Sequence, residues 1–218
     1  MKSIKHILWD WNGTLINDVD LCVTALNTLL NRRSMTNIDR AYYQKHFGFP
    51  VIGFYEKLGF NFDEECFKTM CSEWMKEYQG GFSLETKLQN FTHEVLSYTD
   101  SLGFKQSILS ACEISILKDS IKHFRLCDYF HEVHGTTNIQ AHGKTELALE
   151  ALKNSNYAPN ETLLFGDTVH DYEVARDSGM HCVLIADGHQ SEALLKSTGC
   201  TVLTTLSDVK NFLKTLNI

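Results

Sequence analysis

Short apolar segments that end in acidic or small residues alternate with amphipathic helical patterns, and this alternation constrains the fold more than any other feature. The predicted strands lie at residues 4–10, 104–110, 162–167, 181–187 and 200–204. The predicted helices lie at residues 113–124, 144–154, 171–178, 191–197 and 207–216. Strands that alternate with helices indicate a parallel sheet covered on both faces. We therefore predict an α/β fold with a doubly wound, Rossmann-like core.

The segment 18–86 has a different pattern. Apolar residues recur there at helical spacing in four stretches, and no strong strand signal separates them. The stretches are 19–30, 38–47, 51–58 and 64–78. We predict a small α-helical cap domain at 18–86, inserted into a core domain formed by 1–17 and 87–218.

Composition narrows the class of protein. Of the 218 residues, 43% are hydrophobic and 22% are charged, which is typical of a folded globular chain. The formal net charge of −7 argues against a general nucleic-acid binder but permits a small anionic substrate at a locally positive site.

The cysteines and the apolar segments indicate the cellular compartment in which the protein is expected. The seven cysteines form no CxxC pair, so free thiols in a reducing cytosol are expected rather than a zinc or redox site. The apolar run at residues 7–9 is too short for a signal peptide, and no stretch is long enough to span a bilayer. We expect a cytoplasmic protein without a membrane partner; the sequence leaves monomer and homodimer open.

Candidate functional residues lie at the carboxyl ends of predicted strands, where open α/β sheets bind their ligands. Asp10, Ser110 and Asp167 each close a strand, and Lys144 opens a helix between two of them. Together they predict a site for a phosphorylated ligand and a hard cation.

Asp10 begins the segment Asp10-Trp11-Asn12-Gly13-Thr14. A carboxylate can act as a covalent nucleophile and form an aspartyl-phosphate. Gly13 allows backbone N–H groups to approach phosphate oxygens. The alternative is an ordinary turn after a strand, since Asp, Asn and Gly all favour turns.

Asp167 and Asp171 follow another buried strand and are four residues apart, which places them on one face if a helix begins there. Mg²⁺ prefers one or two carboxylates together with water and phosphate oxygens. Asp167 is the better candidate for a direct ligand, and Asp171 for a water-mediated or orienting one. A helix N-terminus favours Asp171 without any metal, but it does not explain Asp167.

Ser110 and Lys144 complete the candidate site. The Ser110 hydroxyl and the following backbone N–H groups, beginning with Ala111, are suited to bind phosphate; the alternative is a helix capping box with Glu113. The Lys144 ammonium can neutralise a carboxylate and phosphoryl oxygens together; the alternative is a solvated lysine.

These segments resemble, in order and in spacing, the four signature motifs of haloacid dehalogenase superfamily hydrolases. Asp10 to Thr14 match the first motif, Ser110 the second, Lys144 the third, and Gly166 to Asp171 the fourth. The resemblance implies an Mg²⁺-dependent phosphatase with Asp10 as nucleophile and a helical cap after the first motif. The segment 47–50 ahead of 57–59 is similar to the cap of phosphoglycolate phosphatases.

Asn12 departs from the family pattern, which has an aspartate that protonates the leaving oxygen and then activates water. An amide does not titrate, and losing a general acid/base typically costs about 10²- to 10⁴-fold. The resemblance implies that Asn12 still ligates the metal through its backbone carbonyl. Three explanations stay open: a neighbour such as His170 transfers the proton, the substrate has a good leaving group, or turnover is slow.

The cap is expected to set specificity. Its basic residues are candidates for binding a second anionic group of the substrate, and small aliphatic phosphates are the expected substrates; these basic residues are Arg32, Arg33, Lys45, His46 and Lys57. Its aromatic residues are predicted to form the cap core; they include Phe47, Phe49, Phe54 and Trp74. Dehalogenase or phosphonatase chemistry on the same scaffold, and binding without turnover, are the alternative functions.

Overall fold

The structure is a computed structural model that describes residues 4–137 and 143–216. Eight strands and ten α-helices occur in these ranges. The strands are β1 (His6–Trp9), β2 (Ile16–Asn17), β3 (Lys87–Leu88), β4 (Lys105–Glu113), β5 (Glu132–Thr136), β6 (Thr162–Gly166), β7 (His181–Ile185) and β8 (Thr201–Leu203). The helices are α1 (Val19–Arg32), α2 (Arg40–His46), α3 (Val51–Lys57), α4 (Phe67–Glu85), α5 (Thr92–Ser101), α6 (Ile114–His123), α7 (Lys144–Asn154), α8 (Val169–Asp177), α9 (Glu192–Lys196) and α10 (Val209–Thr215).

Six strands form one sheet in the order β5-β4-β1-β6-β7-β8, and every neighbouring pair is parallel. The strand order reverses at β1, which lies between β4 and β6. The predicted doubly wound α/β core is therefore confirmed. A switch point of this kind leaves a crevice beyond the carboxyl ends of the central strands.

Side chains alternate across β1 and pack into two separate apolar layers, as expected for a strand covered on both faces. Ile7 and Trp9 join the cluster under α5, α6 and α10, whereas Leu8 joins the cluster under α7 and α8. All three side chains are fully buried, so burial on both faces holds β1 in register.

Two core elements were missed from the sequence. The sheet has six strands rather than the predicted five, because β5 lies at the edge, is mostly half-buried and therefore carries a weak apolar signal. The second element is helix α5, which buries only part of one face, around Val95 and Leu96, and therefore has a weak helical pattern of apolar residues. Strand β4 also continues past Ser110 to Glu113, with a register shift after Leu109.

Helices α1 to α4 lie between the short strands β2 and β3, which pair antiparallel where the chain leaves and re-enters the sheet layer. The four helices enclose their own apolar cluster, centred on residues such as Leu29, Leu30 and Met70. The core (1–17 and 87–218) and cap (18–86) boundaries stay a prediction. Within the described ranges, no helix is both long and apolar enough to cross a membrane.

Candidate active site

The register of the central strands brings the predicted residues together. Trp9 pairs with Ile108 on one side and with Phe165 on the other. Asp10 follows directly, and its backbone N–H donates to the Phe165 carbonyl at 2.8 Å. The ends of β1, β4 and β6 therefore lie side by side, at the same rim of the sheet.

Lys144 joins the first and fourth motifs. Its Nζ donates to Asp10 Oδ1 and to Asp171 Oδ1, each at 2.5 Å. Lys144 opens α7, as the sequence predicts, and is only 3% exposed, which excludes the solvated alternative. Burial alone would lower the pKa of Lys144, but the two neighbouring carboxylates raise it by a larger amount. Lys144 therefore stays protonated and offsets part of the negative charge of Asp10 and Asp171.

Asp167 is fully buried in the site. The Thr14 hydroxyl lies 3.0 Å from Asp167 Oδ1 and 3.2 Å from Asp10 Oδ2, so it links the two acids. The backbone N–H of His189 donates to Asp167 Oδ2 at 2.5 Å. Gly13 has a φ of +77°, and a Cβ there would overlap the Asp167 carboxylate, so the first motif needs glycine at this place.

The carboxylates of Asp10, Asp167 and Asp171 lie within 4.8 Å of one another. Burial raises the pKa of Asp10 to about 6, although Lys144 opposes the rise. Burial also holds the pKa of Asp167 well above its usual range, against the effect of His189. Among the described residues, Lys144 is the only Lys or Arg that lines this site, and His189 is paired with Asp18, so the acids outnumber the cations that could neutralise them. Clustered carboxylate oxygens with unbalanced charge suit a hard divalent cation such as Mg²⁺.

The two carboxylate oxygens of Asp171 accept hydrogen bonds from different partners. Oδ1 accepts from Lys144, and Oδ2 accepts from the Thr168 N–H at 3.0 Å and from its hydroxyl at 2.6 Å. The second interaction is a capping box at the start of α8. Asp171 thus caps the helix and also orients Lys144.

Ser110 lines a cavity together with Asp10 and Lys144, but it does not cap a helix. Its hydroxyl accepts from the Cys112 N–H at 3.1 Å. Glu113 itself is the N-cap of α6, and its carboxylate accepts from Ser115 and Ile116. The predicted alternative of a Ser110–Glu113 capping box is therefore wrong, because the strand continues three residues farther. Ala111 also lines the cavity.

Asn12 lines the same cavity and is held by residues that the sequence did not single out. Its Nδ2 donates to Asp18 Oδ2 at 2.7 Å and to the Tyr78 hydroxyl at 3.0 Å. The Asp18 carboxylate also accepts from the Gly13 N–H at 3.0 Å and from the Tyr78 hydroxyl at 2.8 Å. An amide suits this place because it supplies a donor to a buried carboxylate.

A buried ion pair completes this network. His189 Nε2 lies 3.2 Å from Asp18 Oδ1, and His189 Nδ1 lies 3.0 Å from the Tyr43 hydroxyl. His189 follows the end of β7, so the strand-end rule could have found it. Asp18 gives no comparable local signal, because its role depends on partners from distant parts of the chain.

Asp18, Cys22 and His189 form a second group of potential metal ligands within 4.8 Å of one another. Both imidazole nitrogens and both carboxylate oxygens of this group already have hydrogen-bond partners. Burial lowers the pKa of His189, but Asp18 raises it more, to about 9. A protonated imidazole cannot ligate a metal, so this group is a hydrogen-bonded ion pair instead.

The ion pair predicts how stability depends on pH in the metal-free protein. Because the pKa of His189 is raised from 6.5 to about 9, its stabilisation is complete below pH 6.5 and is lost as the pH rises through about 9. The loss should be on the order of 3 kcal/mol. We expect His189→Gln to remove this part of the slope in urea unfolding with a chelator present. An unchanged slope in the variant would contradict the assignment.

A cavity of about 180 Å³ opens above these residues, between core and cap. Its polar floor includes Asp10, Ser110 and Lys144, and His170 lines one side. The wall opposite comes from the cap and includes Phe47, Phe49, Phe54 and Trp74. The aromatic residues predicted to form the cap core therefore also face the cavity.

Comparisons with known proteins agree with this geometry. The family model for haloacid dehalogenase-like hydrolases matches residues 7–185. A 5'-nucleotidase from Pseudomonas aeruginosa is 21% identical over 194 residues, which cover 88% of this chain and 87% of that protein. A phosphoglycolate phosphatase from Nitrosococcus oceani is 20% identical over 220 residues, covering 98% of each. The structure of a haloacid dehalogenase-like hydrolase from Streptococcus pneumoniae has a TM-score of 0.78 at 20% identity, covers 98% of this chain and 100% of that chain, and shares its fold.

Proposed function

Because the chain belongs to the haloacid dehalogenase-like hydrolase family, we propose that it is an Mg²⁺-dependent phosphatase for a small phosphorylated metabolite. The observation that carries the proposal is the meeting of three buried carboxylates, Asp10, Asp167 and Asp171, with Lys144 at the switch point of the sheet. The relatives named as a 5'-nucleotidase and a phosphoglycolate phosphatase support phosphate esters as substrates.

Asp10 is proposed to attack the phosphorus atom with one carboxylate oxygen. The bond between phosphorus and the leaving oxygen breaks, and the electron pair stays on the leaving oxygen. Water then attacks phosphorus in the aspartyl-phosphate, which releases inorganic phosphate and restores the Asp10 carboxylate. Lys144 stabilises the phosphoryl charge, and Ser110 with the backbone of Gly13, Thr14 and Ala111 positions its oxygens.

Mg²⁺ would be held by Asp10, Asp167 and the Asn12 backbone carbonyl, with Asp171 as an orienting or water-mediated ligand. When bound, it would neutralise charge on the phosphoryl oxygens and orient the group for attack. The clustering of the three buried carboxylates within 4.8 Å of one another supports this, because a divalent cation would offset their mutual repulsion.

The alternatives fit the site less well. Dehalogenase chemistry needs no metal and gives no reason for burying Asp167 and Asp171 beside Asp10. Phosphonatase chemistry needs a cap lysine, whereas the only lysine lining the cavity within the described ranges is Lys144, already paired with two acids. Binding without turnover needs no nucleophile and would use Asp10 only as a metal ligand.

Metal removal tests the proposal. We expect a chelator to abolish hydrolysis of phenyl phosphate and added Mg²⁺ to restore it, since the acids would otherwise lack their counter-charge. Asp167→Asn should raise the Mg²⁺ concentration needed for half-maximal rate, whereas the exposed Asp63→Asn should not. Hydrolysis that persists in the chelated protein would overturn the mechanism.

A further inference from the structure

We propose that the substrate is an aryl phosphate, the monophosphate of a small phenol. The inference rests on the proposed phosphatase function and adds the class of the leaving group. Two independent features support it: the chemistry of the cavity wall and the amide of Asn12.

The cap wall of the cavity is a set of aromatic rings that already stack on one another. Phe47 meets Phe54 edge to face with centroids 5.5 Å apart, and Trp74 stacks on Tyr78 at 5.0 Å. From the core side, the His170 ring stacks on Phe49 at 4.6 Å. Rings prefer such offset and edge contacts with other rings, so this wall suits an aromatic guest.

The basic residues of the cap do not face the cavity. Arg32 pairs with Glu77 at 2.7 Å, and Arg33 pairs with Glu65 and with Glu73. None of these arginines lines the cavity, nor do Lys45, His46 or Lys57.

The only Lys or Arg lining the cavity in the described part of the chain is therefore Lys144, at the phosphate end. The His189 imidazole also lines the cavity, but its charge is already paired with Asp18. A second anionic group, such as the carboxylate of phosphoglycolate, would therefore be buried against apolar rings without a free counter-charge. Burying an unpaired charge is strongly unfavourable. The wall therefore disfavours those of the expected small aliphatic phosphates that carry a second anionic group.

Asn12 supplies the second, independent argument. Without an acid at this position, the leaving oxygen must depart as an anion, with the electron pair of the broken P–O bond. A phenol has a pKa near that of tyrosine, about 10, whereas water has about 15.7 and is closer to an aliphatic alcohol. A phenoxide therefore leaves without protonation, and an alkoxide does not. The cavity wall and the missing acid thus select the same class of substrate.

Phenyl phosphate, benzyl phosphate and phosphoglycolate together distinguish the effect of the aromatic wall from the effect of the leaving group. Benzyl phosphate and phosphoglycolate both release a primary alcohol, so their comparison isolates the ring. Phenyl and benzyl phosphate both carry a ring, so their comparison isolates the leaving group. With Mg²⁺, we expect kcat/KM to be at least about tenfold higher for benzyl phosphate than for phosphoglycolate. We expect phenyl phosphate to exceed benzyl phosphate by about 10²-fold or more.

A positive charge introduced into the aromatic wall of the cavity should reverse the preference for benzyl phosphate over phosphoglycolate. Met75 lines the cavity from α4, and Met75→Arg would supply the missing counter-ion, raising kcat/KM for phosphoglycolate and lowering it for benzyl phosphate. Gln79→Arg is the matched control, since it adds the same charge to an exposed position on the same helix. Circular dichroism melting verifies that both variants are folded.

The outcomes distinguish this inference from the proposed function. If phosphoglycolate matches or exceeds benzyl and phenyl phosphate while hydrolysis still requires Mg²⁺, the aryl assignment is overturned and the phosphatase stands. If none of these phosphates, nor acetyl phosphate, is hydrolysed with Mg²⁺, both are overturned.

Discussion

Asp10→Asn is expected to lower kcat for phenyl phosphate at least about 10⁴-fold, because the amide cannot attack phosphorus and removing a nucleophile typically costs at least this much. The substitution keeps the shape of the side chain, so the fold should persist. Initial rates at saturating Mg²⁺, compared with those of Asp63→Asn at an exposed acid, measure the effect. A variant that retains a tenth of the wild-type rate would show that Asp10 is not the nucleophile.

Asn12→Asp is expected to raise kcat/KM for benzyl phosphate by about 10²- to 10⁴-fold, because it supplies an acid for an alkoxide leaving group and kcat/KM reports the step that breaks the P–O bond. Phenyl phosphate should gain much less, since phenoxide needs no proton. The measurement is the rate increase caused by Asn12→Asp with benzyl phosphate, divided by the increase with phenyl phosphate. Asn12→Ala, which removes the amide without adding an acid, should give no gain.

The same substitution should also destabilise the fold. The new carboxylate would lie where Asn12 Nδ2 now donates to Asp18 Oδ2 at 2.7 Å, so two acids would share one buried place. Adding Asp18→Asn should relieve this repulsion. If neither variant hydrolyses benzyl phosphate faster, a neighbour such as His170 already transfers the proton and the leaving-group argument fails.

The central strands and the residues at their ends could be predicted from the sequence because their signal is local. β1, β4 and β6 are buried on both faces and therefore read as apolar runs. In a parallel sheet the carboxyl ends of such strands lie at one rim, which brings Asp10 and Asp167 together without further information. Lys144 can also be predicted, because the helix dipole disfavours a cation at a helix N-terminus and a role in the site explains why one is placed there.

The rest of the site depends on contacts that no local pattern encodes. Asp18 and His189 are far apart in sequence and meet only when the cap packs on the core. The cap arginines looked available for a ligand, but Arg33 is bound to glutamates that lie 32 and 40 residues away. Edge strand β5 was missed because half-buried strands carry little apolar signal. The side of the cap that lines the cavity could therefore be identified only from the structure.

The most direct test of the account is the position of a bound divalent cation. Crystals grown with Mn²⁺ in place of Mg²⁺ would locate the ion by its anomalous scattering. We expect one strong peak between the carboxylates of Asp10 and Asp167, on the side of Asp171. A peak among Asp18, Cys22 and His189, or none near the three acids at saturating Mn²⁺, would contradict it.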